Sequence, residues 1–134
     1  MNREILFKAK RLDNGEWISG SLVCFAGGER AILPSDSKAF FSKNKGFICC
    51  DTCQDVDPST VCQYTGLTDK NGKKIFEGDI LKGKTRQLYT VEWGNGIAGF
   101  LTRGTGVLTS PCMNTGTMLG YEVIGSIHDG EGGQ

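Results

Sequence analysis

Gln63-Tyr64-Thr65-Gly66-Leu67-Thr68-Asp69-Lys70-Asn71-Gly72-Lys73-Lys74-Ile75-Phe76-Glu77-Gly78-Asp79-Ile80-Leu81 occupies the middle of a chain of 134 residues. It reads as a β-hairpin followed by a corner. One strand runs up to Thr68, Asp-Lys-Asn-Gly turns, and a second strand leaves through Ile75 and Phe76. Asn71-Gly72 suits a tight turn because both residue types tolerate positive φ, which matches the twist of paired strands. At Glu77-Gly78-Asp79 the glycine permits a second bend, after which Ile80 and Leu81 enter a core. The stretch divides the chain into a β-rich piece before it and another after it.

Working outward toward the N-terminus, Ile5, Phe7 and Ala9 alternate with Glu4, Lys8 and Lys10, the period of a half-buried strand. Asp13-Asn14-Gly15 turns the chain, and Trp17 to Phe25 returns as a second strand with apolar residues on both faces. Arg30 to Leu33 forms a third strand, stopped at Pro34-Ser35-Asp36. Ser37 to Gly46 reads as a loop or a single helical turn, Gly46 to Ile48 as a short strand, and Asp57-Pro58-Ser59-Thr60 as the opening of the next element and an internal boundary. Toward the C-terminus, Leu88 to Trp93 alternates, with Tyr89, Val91 and Trp93 on one face. Gly94-Asn95-Gly96 makes a tight turn, Ile97 to Thr102 runs back, and Met118 to Ile127 closes the sheet. Short strands joined by glycine-rich turns, with no helical period, predict a mainly β protein. Residues 1–60 are expected to form an N-terminal β-rich segment packed on a C-terminal SH3-like small barrel, residues 61–134.

Fifteen basic and fifteen acidic residues cancel, and the balance holds on either side of Thr60. Such a chain has no global field to gather nucleic acid or an anionic membrane. No run of about 18 apolar residues offers a membrane span. The opening Met1-Asn2-Arg3-Glu4-Ile5-Leu6-Phe7-Lys8 lacks the apolar core of a secretory signal. A cytoplasmic protein with reduced cysteines is the expectation.

The central stretch is similar to the signature of the YopX family, small proteins of phages and prophages. Arg3-Glu4-Ile5-Leu6-Phe7-Lys8-Ala9 at the start and Tyr121-Glu122-Val123-Ile124-Gly125-Ser126-Ile127-His128 at the end agree with it. The resemblance implies a phage or prophage accessory protein in a bacterial cytoplasm, and supplies no catalytic residue to carry over. The residues that carry the resemblance leave the segment from about Ala26 to Pro58 and the loop from Gly104 to Thr117 unplaced.

Each motif that spells out chemistry has a plainer reading beside it. Gly78 to Thr85 satisfies G-x-x-x-x-G-K-[ST], but a phosphate-binding loop needs a strand before it and a helix after it. Here Ile80 and Leu81 read as core strand residues, and Arg86 to Trp93 as another strand. Cys49, Cys50, Cys53 and Cys62 lie close in sequence, and Cys50-x-x-Cys53 has zinc-knuckle spacing, so Cys50, Cys53 and Cys62 are candidate metal ligands. Cys112 or His128 would complete a set, yet no second C-x-x-C exists; incidental loop thiols are the plainer account. Cys50 and Cys53 lack the βαβ context of a redox pair. His128, the sole histidine, sits six residues from the end and has no marked nucleophile partner. Asp69, Glu77 and Asp79 flank the central hairpin, where Asp69 is better suited to stabilising the turn and Asp79 the corner than to acid–base work.

From Asp69 to Arg86, Lys70, Lys73, Lys74, Lys82, Lys84 and Arg86 face three acids. They are candidate nucleic-acid contacts, with Phe76, Tyr89 or Trp93 available to stack on bases. They equally suit the solvated face of a hairpin guarding its edge. No cofactor is expected. The leading expectation is a non-enzymatic module that binds a protein partner or itself, with a weak nucleic-acid binder and a small zinc-stabilised module as alternatives.

Overall fold

The structure, a computed structural model, describes residues 4–36, 40–41, 48–49, 53–83, 87–104 and 120–129. The protein divides into two compact units, Leu6–Val61 and Cys62–Gln134 together with Met1–Ile5. Both are built from antiparallel strands, so the mainly β expectation holds.

In the first unit, β1 (Phe7–Lys10), β2 (Trp17–Cys24), β3 (Arg30–Pro34) and β6 (Gln54–Val56) stand in the order β6-β3-β2-β1. β1 meets β2 in the register Phe7↔Gly20 to Lys10↔Trp17, which puts Phe7 and Ala9 on one face. That face joins Ile18, Leu22, Ile32, Val56 and Val61 in a core. On the other face the Lys8 and Lys10 ammoniums lie over the Trp17 ring, 4.6 and 5.5 Å from its centre. This accounts for Trp17 on the face of β2 that the core does not cover: the lysine ammoniums lie over its ring. Ile5 is half exposed and precedes β1, outside the alternation expected of it.

One local expectation is corrected. Phe40–Phe41, read as loop or helical turn, is a short strand β4 that pairs antiparallel with β5, Ile48–Cys49. Asp57 opens the next element as expected, capping a 3₁₀ turn at Pro58–Thr60 by accepting the Ser59 N–H at 3.0 Å. Proline suits this first position because it lacks an N–H that would go unused there.

In the second unit, β7 (Cys62–Thr68) pairs with β8 (Lys74–Phe76). A four-stranded sheet follows in the order β11-β10-β9-β12, from β9 (Asp79–Lys82), β10 (Leu88–Gly94), β11 (Gly99–Gly104) and β12 (Glu122–Ser126). Ile75, Leu81 and Val91 are fully buried, and Leu67, Tyr89, Phe100, Tyr121 and Val123 pack on them. Burial of side chains this size stabilises by about 1.5–3 kcal/mol each.

Candidate functional site

The central stretch is held by its carboxylates. Asp69, 6% exposed, directly follows β7. Its Oδ1 accepts the N–H groups of Asn71 (2.8 Å) and Lys73 (2.9 Å), and its Oδ2 accepts that of Val123 (2.9 Å). One carboxylate therefore closes the hairpin turn and ties it to β12, 54 residues on. The Lys70 N–H donates to Tyr121 O at 3.0 Å beside it. Burial pushes the Asp69 carboxyl up, but the Val123, Lys73 and Asn71 N–H groups and the Lys73 charge outweigh it and hold the group below its ordinary range. In this turn Gly72 alone has positive φ, so Asp69–Gly72 is closed by a carboxylate and a Gly72 N–H to Asp69 O bond, not by two left-handed residues.

Asp79 is 1% exposed and accepts the Phe76 N–H at 2.8 Å, fixing the corner before β9. Gly78, at φ +83°, donates its N–H to Val91 O and accepts from Ile127, both at 2.8 Å. The backbone groups a phosphate would need at Gly78 are thus spent on strands, and Ile80 to Lys82 continue as β9. Lys84 and Thr85 lie outside the described residues. Glu77 sits half-buried next to Gly78, its N–H on Gln63 O.

Among the basic residues, Lys70 pairs with Glu122 (3.6 Å) and Lys74 with Glu4 (3.1 Å), and Lys74 also lies over the Tyr64 ring. Lys73 is exposed beside the Asp69 carboxylate, and Lys82 is exposed at the end of β9. Lys84 and Arg86 lie outside the described residues. The aromatics differ in access. Phe76 is buried against Tyr64, and Tyr89 stacks on Tyr121 with ring centres 5.4 Å apart. Burial and the Tyr89 hydroxyl push the Tyr121 phenol up.

Cys53 is exposed in one unit and Cys62 buried at the start of β7 in the other. Cys50 and Cys112 lie outside the described residues. Among the described residues no three His, Cys, Asp or Glu side chains gather as a metal site would require. His128 is half-buried and donates its N–H to Ser126 Oγ at 3.2 Å.

Trp93, offered by the sequence only as a ring available to stack on bases, belongs to a feature that sequence reasoning missed, the apolar tip of the β10–β11 hairpin. Trp93 shares the core-facing side of β10 yet is 44% exposed, because it projects past the end of the core. Phe100, its cross-strand partner, meets it edge-on at 5.1 Å and 75°. The loop between Gly94 and Gly99 is longer than Gly94-Asn95-Gly96 suggested; the Ile97 N–H closes it on Gly94 O at 3.2 Å. Ile97 is 51% exposed, and an ideal Cβ at Gly94 would lie 2.9 Å from its Cγ1. Ala98, at φ +51°, is the one non-glycine residue with positive φ among the described residues. An alanine there costs about 1–2 kcal/mol of local strain, and such positions concentrate where a loop must aim its neighbours. A tryptophan next to Gly-x-Gly at a strand end was the available signal.

These observations define an antiparallel β protein in which the carboxylates of the central stretch hold turns. The sequence matches the family described as YopX protein over residues 6–131, and the protein belongs to the YopX family. Among solved structures it is similar to protein EF1440 from Enterococcus faecalis, at 24% identity with a TM-score of 0.68, over 96% of this protein and 96% of that one. That likeness bears on the fold. No curated protein matches the sequence. No helix among the described residues is long and apolar enough to cross a membrane.

Proposed function

We propose that this protein is a non-enzymatic phage or prophage accessory protein that acts by docking on another protein, with the tip of the β10–β11 hairpin as its anchor. One observation carries the reading: Trp93 is half exposed, yet Phe100 holds its ring edge-on. A large aromatic already fixed in one orientation loses little entropy on binding, which is why tryptophan is over-represented among residues that dominate interfaces. Nearby Ile97 adds apolar surface, and the loop from Gly94 to Gly99 carries no charge. The nearest charges, Glu92 and Arg103, pair with each other at 2.6 Å. A neutral apolar tip suits an apolar protein pocket better than a phosphate backbone. Asp69 and Asp79 add to this, because their oxygens accept backbone N–H groups and are thereby unsuited to moving protons.

The test compares the wild-type protein with Trp93→Ala/Ile97→Ala as bait in bacterial host lysate, followed by titration of any captured protein in purified form. Loss of an anchor of at least 2 kcal/mol corresponds to about 30-fold weaker binding. A purified partner bound with equal affinity by both forms would remove the tip from the interface. Nucleic acid retained at low salt and released by salt, with no protein captured, would replace the reading with the nucleic-acid one.

A further inference from the structure

The sequence holds three Asn-Gly pairs, Asn14-Gly15, Asn71-Gly72 and Asn95-Gly96, all of them in turns. Asn-Gly is the sequence most open to spontaneous deamidation, since glycine offers no side chain to obstruct its own backbone nitrogen. That nitrogen attacks the asparagine Cγ, the Cγ–Nδ2 bond breaks, and ammonia leaves. Water then opens the resulting succinimide at either carbonyl, giving aspartate or isoaspartate. The attacking nitrogen must be free to turn toward Cγ, so a hydrogen bond from its N–H opposes the reaction.

The three sites differ on this point. Gly15 donates its N–H to Arg11 O at 3.0 Å, and the Asn14 Oδ1 is held by the Glu16 N–H at 3.0 Å. Gly72 donates to Asp69 O at 3.0 Å, and Asn71 is tied by its own N–H to Asp69 Oδ1 at 2.8 Å. At the third site neither the Asn95 side chain nor the Gly96 N–H makes a hydrogen bond among the described residues, and both residues are exposed. Nothing lies within 4 Å of an ideal Cβ at Gly96. The loop is closed instead through Ile97 and Gly94, which leaves the intervening peptide open to rotate.

We infer that Asn95-Gly96 is a self-modification site of this protein, the one Asn-Gly pair of the three that the fold leaves free to deamidate. Conversion to aspartate adds a negative charge to an uncharged loop two residues from Trp93, and isoaspartate adds a methylene to its backbone. The site is therefore a slow, irreversible means of altering the hairpin tip. The chemistry stands whether or not the tip docks on a partner.

The experiment incubates the intact folded protein at mildly alkaline pH and follows the three asparagine-containing peptides by mass spectrometry, with an isoaspartate assay alongside. Release of one net hydrogen bond of about 1 kcal/mol makes the Asn95 peptide convert about fivefold faster than the other two. Asn95→Gln removes the fast conversion. In denaturant, where every turn is lost, the three rates draw together. Equal rates at the three sites in the folded protein, or faster conversion at Asn14 or Asn71, would overturn the assignment.

Discussion

Asp69 carries more of the central stretch than any other residue. Its two oxygens together accept the N–H groups of Asn71, Lys73 and Val123. Asp69→Ala leaves these donors without the carboxylate, at about 1–3 kcal/mol for each that water cannot reach. A total of about 3 kcal/mol is expected in chemical denaturation, and an effect under about 0.5 kcal/mol would show that the turn holds itself. Asp69→Asn keeps an oxygen for two donors but turns an NH₂ toward the third, so a smaller loss is expected. The pH dependence has a definite sign. The folded carboxyl titrates below its unfolded value of about 3.9. Its contribution is therefore complete above that value and lost as pH falls through the folded pKa. Stability curves of the wild type and Asp69→Asn should converge in acid and separate toward neutrality. Curves that stay parallel down to the acid transition would exclude Asp69 as a source of acid lability.

At the scale of elements, turn geometry and close backbone approach decide which strands meet. Gly20 pairs with Phe7 on one side and Pro34 on the other, and an ideal Cβ there would fall 1.9 Å from Leu33 O. The obstacle is backbone, so no rotamer relieves it. Gly20→Ala is expected to cost on the order of 3 kcal/mol or more by forcing β2 and β3 apart. Gly15→Ala serves as the comparison: its Cβ meets nothing within 4 Å, though φ of +71° strains it by about 1 kcal/mol. Similar losses for the two variants in thermal unfolding would refute the close-approach account. β7 shows the same economy. Gly66 takes φ +90° where the β7–β8 register shifts, and Thr65 Oγ1 bridges the irregularity by donating to Ile75 O and accepting from the Leu67 N–H.

For the whole molecule, charge is the controlling quantity. Fifteen charges of each sign cancel, and the described basic residues Lys70 and Lys74 stand beside acids. Exposed pairs of this kind contribute little stability, typically under about 1 kcal/mol, but they cancel local potential. At physiological ionic strength, where the screening length is about 8 Å, the wild-type protein should pass through a DNA or heparin column unretained. Retention that falls steeply with salt and disappears on neutralising Lys73, Lys82, Lys84 and Arg86 would show that a basic patch survives this cancellation.

The β character, the family and most strand positions were legible in the order of residues alone, because turn residues and period-two alternation are local signals. Asn14-Gly15, Asn71-Gly72 and Gly94-Asn95-Gly96 each announced a hairpin, and β1–β2, β7–β8 and β10–β11 are those hairpins. The sequence also suggested that Asp69 and Asp79 hold turns, since a short acidic side chain reaches its own nearby backbone. What lay beyond it was set by partners distant in sequence. Nothing near Asp69 points to Val123, and nothing near Phe40–Phe41 points to Ile48–Cys49, because a strand's pairing energy belongs to both members. The same holds for Trp93: its alternation with Tyr89 and Val91 assigns it a face, but where the core beneath that face ends depends on which distant strands pack there. Local chemistry set the turns, and the extent of the core set which apolar residues remained outside it.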